Sequence, residues 1–332
     1  MNLQERIELL ARLGRYIKED TTEWQAAKHR ASVENNWFVP QFTHLASSNI
    51  AEHYLSEQAL ELLVNKYSLQ DQPPQPKIVG IVMAGNIPLV GFHDLLCVFI
   101  SGHRAKIKLS SKDEVLTRHL VDTLTGWNPE IPELIEVSEM LKNCDAYIAT
   151  GSSNTSQYFD YYFSKYPHII RQNKTSVAIL TGKESREDLD RLADDIHLYF
   201  GLGCRNVTKI FVPENYDFLP LLEASTKYAW MMNHNKYKNN YDYALAVQII
   251  NNKFYMTNGN VLLIENPSLF PPISQVNYQM YSSSDILLRT VNEEQNLQCR
   301  VGLEATPFGE AQTPGVCDFA DGVDTMEFLL KL

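Results

Sequence analysis

The chain has 332 residues, enough for two modest domains with full hydrophobic cores, and its 44% hydrophobic and 21% charged residues are ordinary for a globular protein. A formal net charge of -11 argues against nucleic acid or an anionic membrane surface as the main partner, since both call for clustered Lys and Arg. The first twenty residues carry acids early and no continuous apolar run, unlike a signal peptide, and no stretch approaches the ~20 apolar residues of a membrane span. The five cysteines, 97, 144, 204, 299 and 317, are odd in number, widely spaced and never in CxxC, which argues against a disulfide framework or zinc site and for a reducing cytoplasm.

In chain order, residues 1 to about 75 read as a helical segment. "LQERIELLARLGRYI" and "SEQALELLVNKY" both place apolar residues at helical spacing. "DQPPQPK" (71–77) is a proline-rich boundary. From there strands and helices alternate. "KIVGIVM" (77–83) is an apolar strand, broken by "AGNIP". "PLVGFHDLLCVFISG" is an apolar helix with Pro88 in its first turn. "AKIKL" (105–109) is a second strand, and "SSKDEVLTRHLVDTL" a helix opened by serines and acids. "CDAYIAT" (144–150) is a third strand, followed by a helix over "GSSNTSQYFDYYFSKY". "TSVAIL" (175–180) is a fourth, followed by the helix "ESREDLDRLADDIHLYF".

Such alternation predicts a parallel sheet covered on both faces, with ligands at the carboxyl ends of its strands. The loops of interest are therefore "AGNIP", "LSSKD" and "ATGSS". After residue 204 come the strand "VTKIFVP", the helix "FLPLLEASTKYAWMM", a hairpin turning at Asn258-Gly259, and a further strand and helix. They predict a second α/β domain. The domain expectation is a helical segment 1–75, a cofactor-binding domain 76–200, a catalytic domain 201–305 and a return segment 306–332.

Four stretches carry candidate chemistry, and each has a plainer reading. Asn86 sits in a strand-to-helix bend, where its amide can donate to a developing oxyanion or merely shape the turn. Lys108 ends a strand, with Ser110, Ser111 and Lys112 just beyond. They can grip a ribose or phosphate, or be a solvated lysine and a helix cap. Gly151 and Ser152 lead from a strand into a helix, which suits a phosphate or an ordinary cap. Cys204, in "GLGCRNVTKIFV", sits on a bend beside Arg205, either as a reachable nucleophile or as an inert small residue. "GLGCRN" follows a helix and ends in Asn, so it fails as a dinucleotide fingerprint. His93 and His197 read as structural histidines held by local hydrogen bonds.

The order of these stretches resembles the aldehyde dehydrogenase superfamily. "GNIPL" is similar to its Asn-Phe-Pro bend, "KIKLSS" to its Val-Val-Lys-Pro-Ser segment, "IATGSS" to its Phe-Thr-Gly-Ser, "GLGCRNVTKIFV" to its Gly-Gln-x-Cys segment, and "TPFGEAQTPGV" to its late Pro-Phe-Gly segment. Within it, "GNIPLVGFHDLLCVFISGHRAKIKLSSKDEVL" and "DAYIATGSSNTSQYF" most resemble the acyl-CoA reductases of the bacterial bioluminescence (LuxC) type. The likeness spans roughly residues 76–330.

The resemblance implies an aldehyde-dehydrogenase-like α/β fold with a Rossmann-type cofactor domain, a second catalytic domain and a homo-oligomer. It implies that Cys204 accepts the acyl group and that Asn86 supplies the oxyanion amide, with the Cys204 N–H. Lys108, Ser110 and Ser111 would meet the cofactor ribose, and Gly151 and Ser152 its pyrophosphate. Ser111 and Lys112 stand where related enzymes often carry a Glu, which favours NADPH over NADH. The family's general-base Glu is replaced by Arg171 or Gln172. A thioester reductase needs no such base, because hydrolysis would waste its intermediate. The expected reaction is reduction of an acyl-CoA, of fatty type, to the aldehyde through a Cys204 thioester. The alternatives are an acyl-phosphate or carrier-protein thioester as donor, the latter bringing an acyl-carrier or acyl-transfer partner, or a non-catalytic binding subunit.

Overall fold

A computed structural model describes residues 1–73, 75–151, 159 and 161–332. It divides into two compact units, residues 1–173 with 314–332, and residues 174–313.

The first unit opens with four helices, α1 (Leu3–Glu19), α2 (Thr22–Glu34), α3 (Pro40–His53) and α4 (Glu57–Tyr67). Asn2 and Glu5 form a reciprocal capping box at the start of α1, and Leu9, Leu10, Leu13 and Ile17 form its buried stripe. A five-stranded sheet follows: β1 (Ile78–Val82), β2 (Arg104–Lys108), β3 (Ile135–Val137), β4 (Ala146–Thr150) and β5 (His168–Arg171). Its order is β3-β2-β1-β4-β5 and every pairing is parallel. The described crossovers are α5 (Phe92–Ile100), α6 (Glu114–Trp127) and the single turn α7 (Ile131–Leu134). One hydrophobic core joins Leu13, Trp24 and Leu60 of the N-terminal helices to Ile81, Leu96 and Leu116. The helical segment expected over 1–75 therefore shares its core with the first sheet.

The second unit holds β6 (Thr175–Ile179), α8 (Arg186–His197), β7 (Val207–Pro213), α9 (Leu219–Ala224), α10 (Asn235–Ile250), β8 (Met256–Thr257), β9 (Leu262–Glu265), β10 (Gln275–Tyr281), α11 (Ser284–Glu293) and β11 (Leu297–Gly302). The sheet order is β11-β6-β7-β10-β9-β8, parallel except for the β8–β9 hairpin. The hairpin turns where expected: Asn258 Oδ1 accepts the N–H groups of Asn260 and Val261, and Gly259 takes φ +92°.

The boundary drawn at residue 200 differs from the division at 173/174. β6 ladders with β7 and β11, so β6 and α8 belong to the second unit. The chain returns to the first unit at Pro314, and α12 (Thr325–Leu330) buries Met326 and Leu329 in the first core. A buried ion pair fixes this return. Arg171 Nη2 bonds Asp94 Oδ1 at 2.6 Å and Thr325 Oγ1 at 2.7 Å, and Arg171 Nη1 donates to Ala320 O.

Candidate active site

Three neighbouring parallel strands of the first unit end side by side, with Val82 of β1 in register with Lys108 of β2 and Ala149 of β4. Lys108 closes β2, and the loops leaving these ends carry Asn86, then Ser110 and Ser111, then Gly151. Strand order reverses between β1 and β4, the position at which open parallel sheets take ligands. Asn86, Lys108 and Ser111 are exposed and Ser110 is half-buried. The Gly151 N–H donates to Arg171 O at 3.3 Å. Ser152 and the helix start expected after it lie outside the described residues.

The bend after β1 departs from expectation. Pro88 does not open a helix, because α5 starts only at Phe92. Between them Leu89 takes φ +58°, a left-handed turn that stops the helix from extending back to Pro88. The Leu89 N–H donates to Asp113 Oδ2 at 2.6 Å. Asp113, 5% exposed, is pushed up to about 8 by burial, against the opposing pull of this one N–H.

In the second unit Cys204 is half-buried, on the turn Gly203–Asn206 that enters β7. Four bonds from one buried side chain hold that turn. Asn206 Oδ1 accepts the Gly203 N–H at 2.8 Å, and Asn206 Nδ2 reaches the carbonyls of Asp195, Ile196 and Leu198 at 3.0, 3.3 and 2.9 Å. These carbonyls close α8, so Asn206 caps that helix and pins the cysteine turn together. Tyr199, Phe200 and Gly201 all take positive φ and swing the chain from helix into turn.

Ser176, fully buried on β6, donates to Cys204 O at 3.1 Å and accepts the Cys299 N–H at 3.2 Å. Burial pushes the Cys299 thiol up, partly offset by Ser176 and Arg205. On α8 the Asp195 carboxylate accepts the N–H groups of Gly309 and Ala311 at 2.7 and 3.1 Å, tying the Pro307-Phe308-Gly309 segment to the same helix end. Burial outweighs those donors and pushes Asp195 up to about 7.

Several residues are spent elsewhere. Arg171 is committed to Asp94, Thr325 and Ala320, and the Gln172 N–H to Asp321. His93 Nε2 bonds Val316 O at 2.8 Å, a long-range contact. His197 packs on Tyr228, with no described partner at Nε2, and burial drives it down to about 3. A cavity of about 420 Å³ in the second unit is lined by Lys209, whose ammonium bonds Pro267 O and Gln279 Oε1, and by none of the candidate residues. Among the described residues no three metal-ligating side chains cluster, and no helix is long and apolar enough to cross a membrane.

Asp113, Asn206, Ser176 and Asp195 were not singled out from sequence. The legible signal was Asn206, two residues after the cysteine at a helix-to-strand turn, where Asn commonly bonds nearby backbone.

The arrangement is that of an aldehyde-dehydrogenase-like fold. Aldehyde dehydrogenase 21 from Physcomitrella patens, solved with the reaction product succinate, superposes with TM-score 0.65 at 14% identity over 92% of this chain and 74% of that one. The indole-3-acetaldehyde dehydrogenase AldA of P. syringae, solved with NAD+ and IAA, gives 0.65 at 12% over 89% and 70%. An aldehyde dehydrogenase from Bacillus cereus gives 0.62 at 12% over 91% and 72%. No curated protein matches. The acyl-CoA reductase (LuxC) family model matches residues 56–238, and the chain belongs to that family of oxidoreductases.

Proposed function

We propose that this protein reduces an acyl-CoA, of fatty type, to the aldehyde with NADPH, through a thioester on Cys204. The observation that carries the reading is the Cys204 turn, held by Asn206 and Ser176, in a chain of the acyl-CoA reductase family. A turn fixed at both ends keeps a thiol at one place without ordering cost at the moment of attack.

Cys204 Sγ attacks the thioester carbonyl, the Cys204–acyl bond forms, and CoA leaves as its thiolate. Asn86 donates its amide to the oxyanion of that step and of the next, a contribution on the order of 3 kcal/mol for a well-placed donor. When bound, the reduced nicotinamide supplies a hydride to the acyl carbon. Collapse of the thiohemiacetal then re-forms the carbonyl, breaks the carbon–sulfur bond and returns Cys204 as thiolate. Arg171, standing where related enzymes carry a general-base Glu, is a cation held by Asp94 and cannot itself activate water, which suits an enzyme that must keep its acyl intermediate.

The residues at the carboxyl edge of the first sheet suit a nicotinamide dinucleotide. Lys108 and Ser111 are exposed beside the strand-order reversal, with donors for ribose hydroxyls. Ser111 and Lys112 place no carboxylate against a 2′-phosphate, which favours NADPH. A reducing cytoplasm suits the thiol.

The test is trapping of the acyl-enzyme. Incubation with acyl-CoA and no NADPH, followed by denaturing mass spectrometry, should add one acyl mass to the Cys204 peptide. Acylation of another cysteine, or of none with acyl-CoA, acyl-phosphate and acyl-carrier protein alike, would refute the reading.

A further inference from the structure

The residue at the N-cap of α6 does not cap it. Asp113 makes no side-chain bond to the first turn of its own helix. An Asp in that role commonly stabilises its helix, so the chain forgoes a stabilisation it has the residue to make. The carboxyl instead turns inward to the Leu89 N–H, in a buried bond of 2.6 Å.

That bond lies in the bend that carries Asn86. Leu89 holds φ +58°, a conformation disfavoured for an L-residue and kept only where surroundings impose it. The other flank of Asn86 leans on the same loop. A β-carbon on Gly85 would lie 2.6 Å from Ser110 Oγ and 3.2 Å from Asp113 Cβ. The loop itself is steadied from behind. Asp113 N–H donates to Ser110 O at 3.0 Å, and Asn35 Nδ2 donates to Lys112 O at 3.0 Å. Both sides of Asn86 therefore rest on residues 110–113. Burial keeps the carboxyl largely protonated at neutral pH, so the clamp needs no cation.

We propose that Asp113 is a positioning residue that clamps the bend after β1 and sets where the Asn86 amide points. The functional half of this rests on the oxyanion role given to Asn86 above; the clamp does not.

The test compares two variants of the full chain. Asp113→Ser can cap α6 but is too short to reach Leu89. Asp113→Asn keeps an oxygen for the Leu89 N–H. Amide hydrogen exchange over residues 85–91 is read first, then kcat and KM for acyl-CoA reduction, with alkylation of Cys204 as a control. Asp113→Ser should speed exchange about tenfold and lower kcat on the order of 100-fold, the loss typical of an oxyanion donor. KM for NADPH and the Cys204 alkylation rate should stay within about threefold, and Asp113→Asn should restore both exchange and kcat. Unchanged exchange in Asp113→Ser overturns the clamp. Faster exchange with unchanged kcat overturns its link to Asn86, as does an Asp113→Asn variant as poor as Asp113→Ser. If the wild type reduces no acyl donor, the proposed function fails, and the exchange result alone decides the clamp.

Discussion

At the scale of single residues, the cysteine turn depends on one amide. Asn206 is fully buried and bonds four backbone groups, so truncation strands a buried N–H and several carbonyls. Asn206→Ala should cost about 1–3 kcal/mol in urea unfolding. It should also slow acylation of Cys204 more than it changes KM for the acyl donor. Loss of stability with acylation intact would mean that Asn206 caps α8 and does no more. Cys204 was legible as a candidate because a cysteine on a Gly-flanked bend is unusual. Ser176 was not, since its hydroxyl works across a sheet and nothing local in "KTSVAIL" marks it. Asp113 was legible only as a cap, the role its position advertises and its side chain declines.

At the scale of elements, the return segment hangs on the Asp94–Arg171 pair, with side chains 10% and 3% exposed. Removing one member leaves a buried charge without its counter-ion, so Asp94→Ala should cost about 3–5 kcal/mol by urea unfolding. The double replacement Asp94→Leu with Arg171→Met should cost clearly less. Equal losses would show that packing, not charge, holds Ala320–Thr325. Strand–helix alternation made most of the first sheet readable, because parallel strands buried on both faces are continuous apolar runs such as "KIVGIVM". Several elements escaped, among them β3, β5, β11 and the start of α5. β5, "HIIR", is short and ends in the charged Arg171, whose burial depends on a partner 77 residues away. The start of α5 was displaced because Leu89 is left-handed, and no sequence rule places a branched residue there.

At the scale of the whole molecule, two buried carboxyls give stability a pH dependence of known sign. Asp113 and Asp195 are raised by burial to about 8 and about 7, against about 3.9 in an unfolded chain. Their folded forms bind protons more tightly, so their contribution is fully present below about pH 4 and is lost as pH rises through 7–8. Asp113→Asn removes one of the two. Its stability relative to wild type should therefore rise between pH 5 and pH 8.5, read as the difference in urea midpoints. A difference independent of pH would mean that Asp113 is ionised throughout.

The division of the chain was the least legible feature at this scale. "TSVAIL" is as good a fourth strand for the first sheet as a first strand for the second, and only its ladder with β7 and β11 decides. The family was legible because its marks are local and ordered along the chain, whereas a ladder partner is not written beside the strand that needs it. The proposed reaction is tested by mixing the protein with NADPH and acyl-CoAs of increasing chain length. Absorbance at the nicotinamide band is followed, with Cys204→Ala alongside. NADPH oxidation should require both the thioester and Cys204, show a chain-length optimum and yield aldehyde. Oxidation that persists in Cys204→Ala would contradict the proposed reaction.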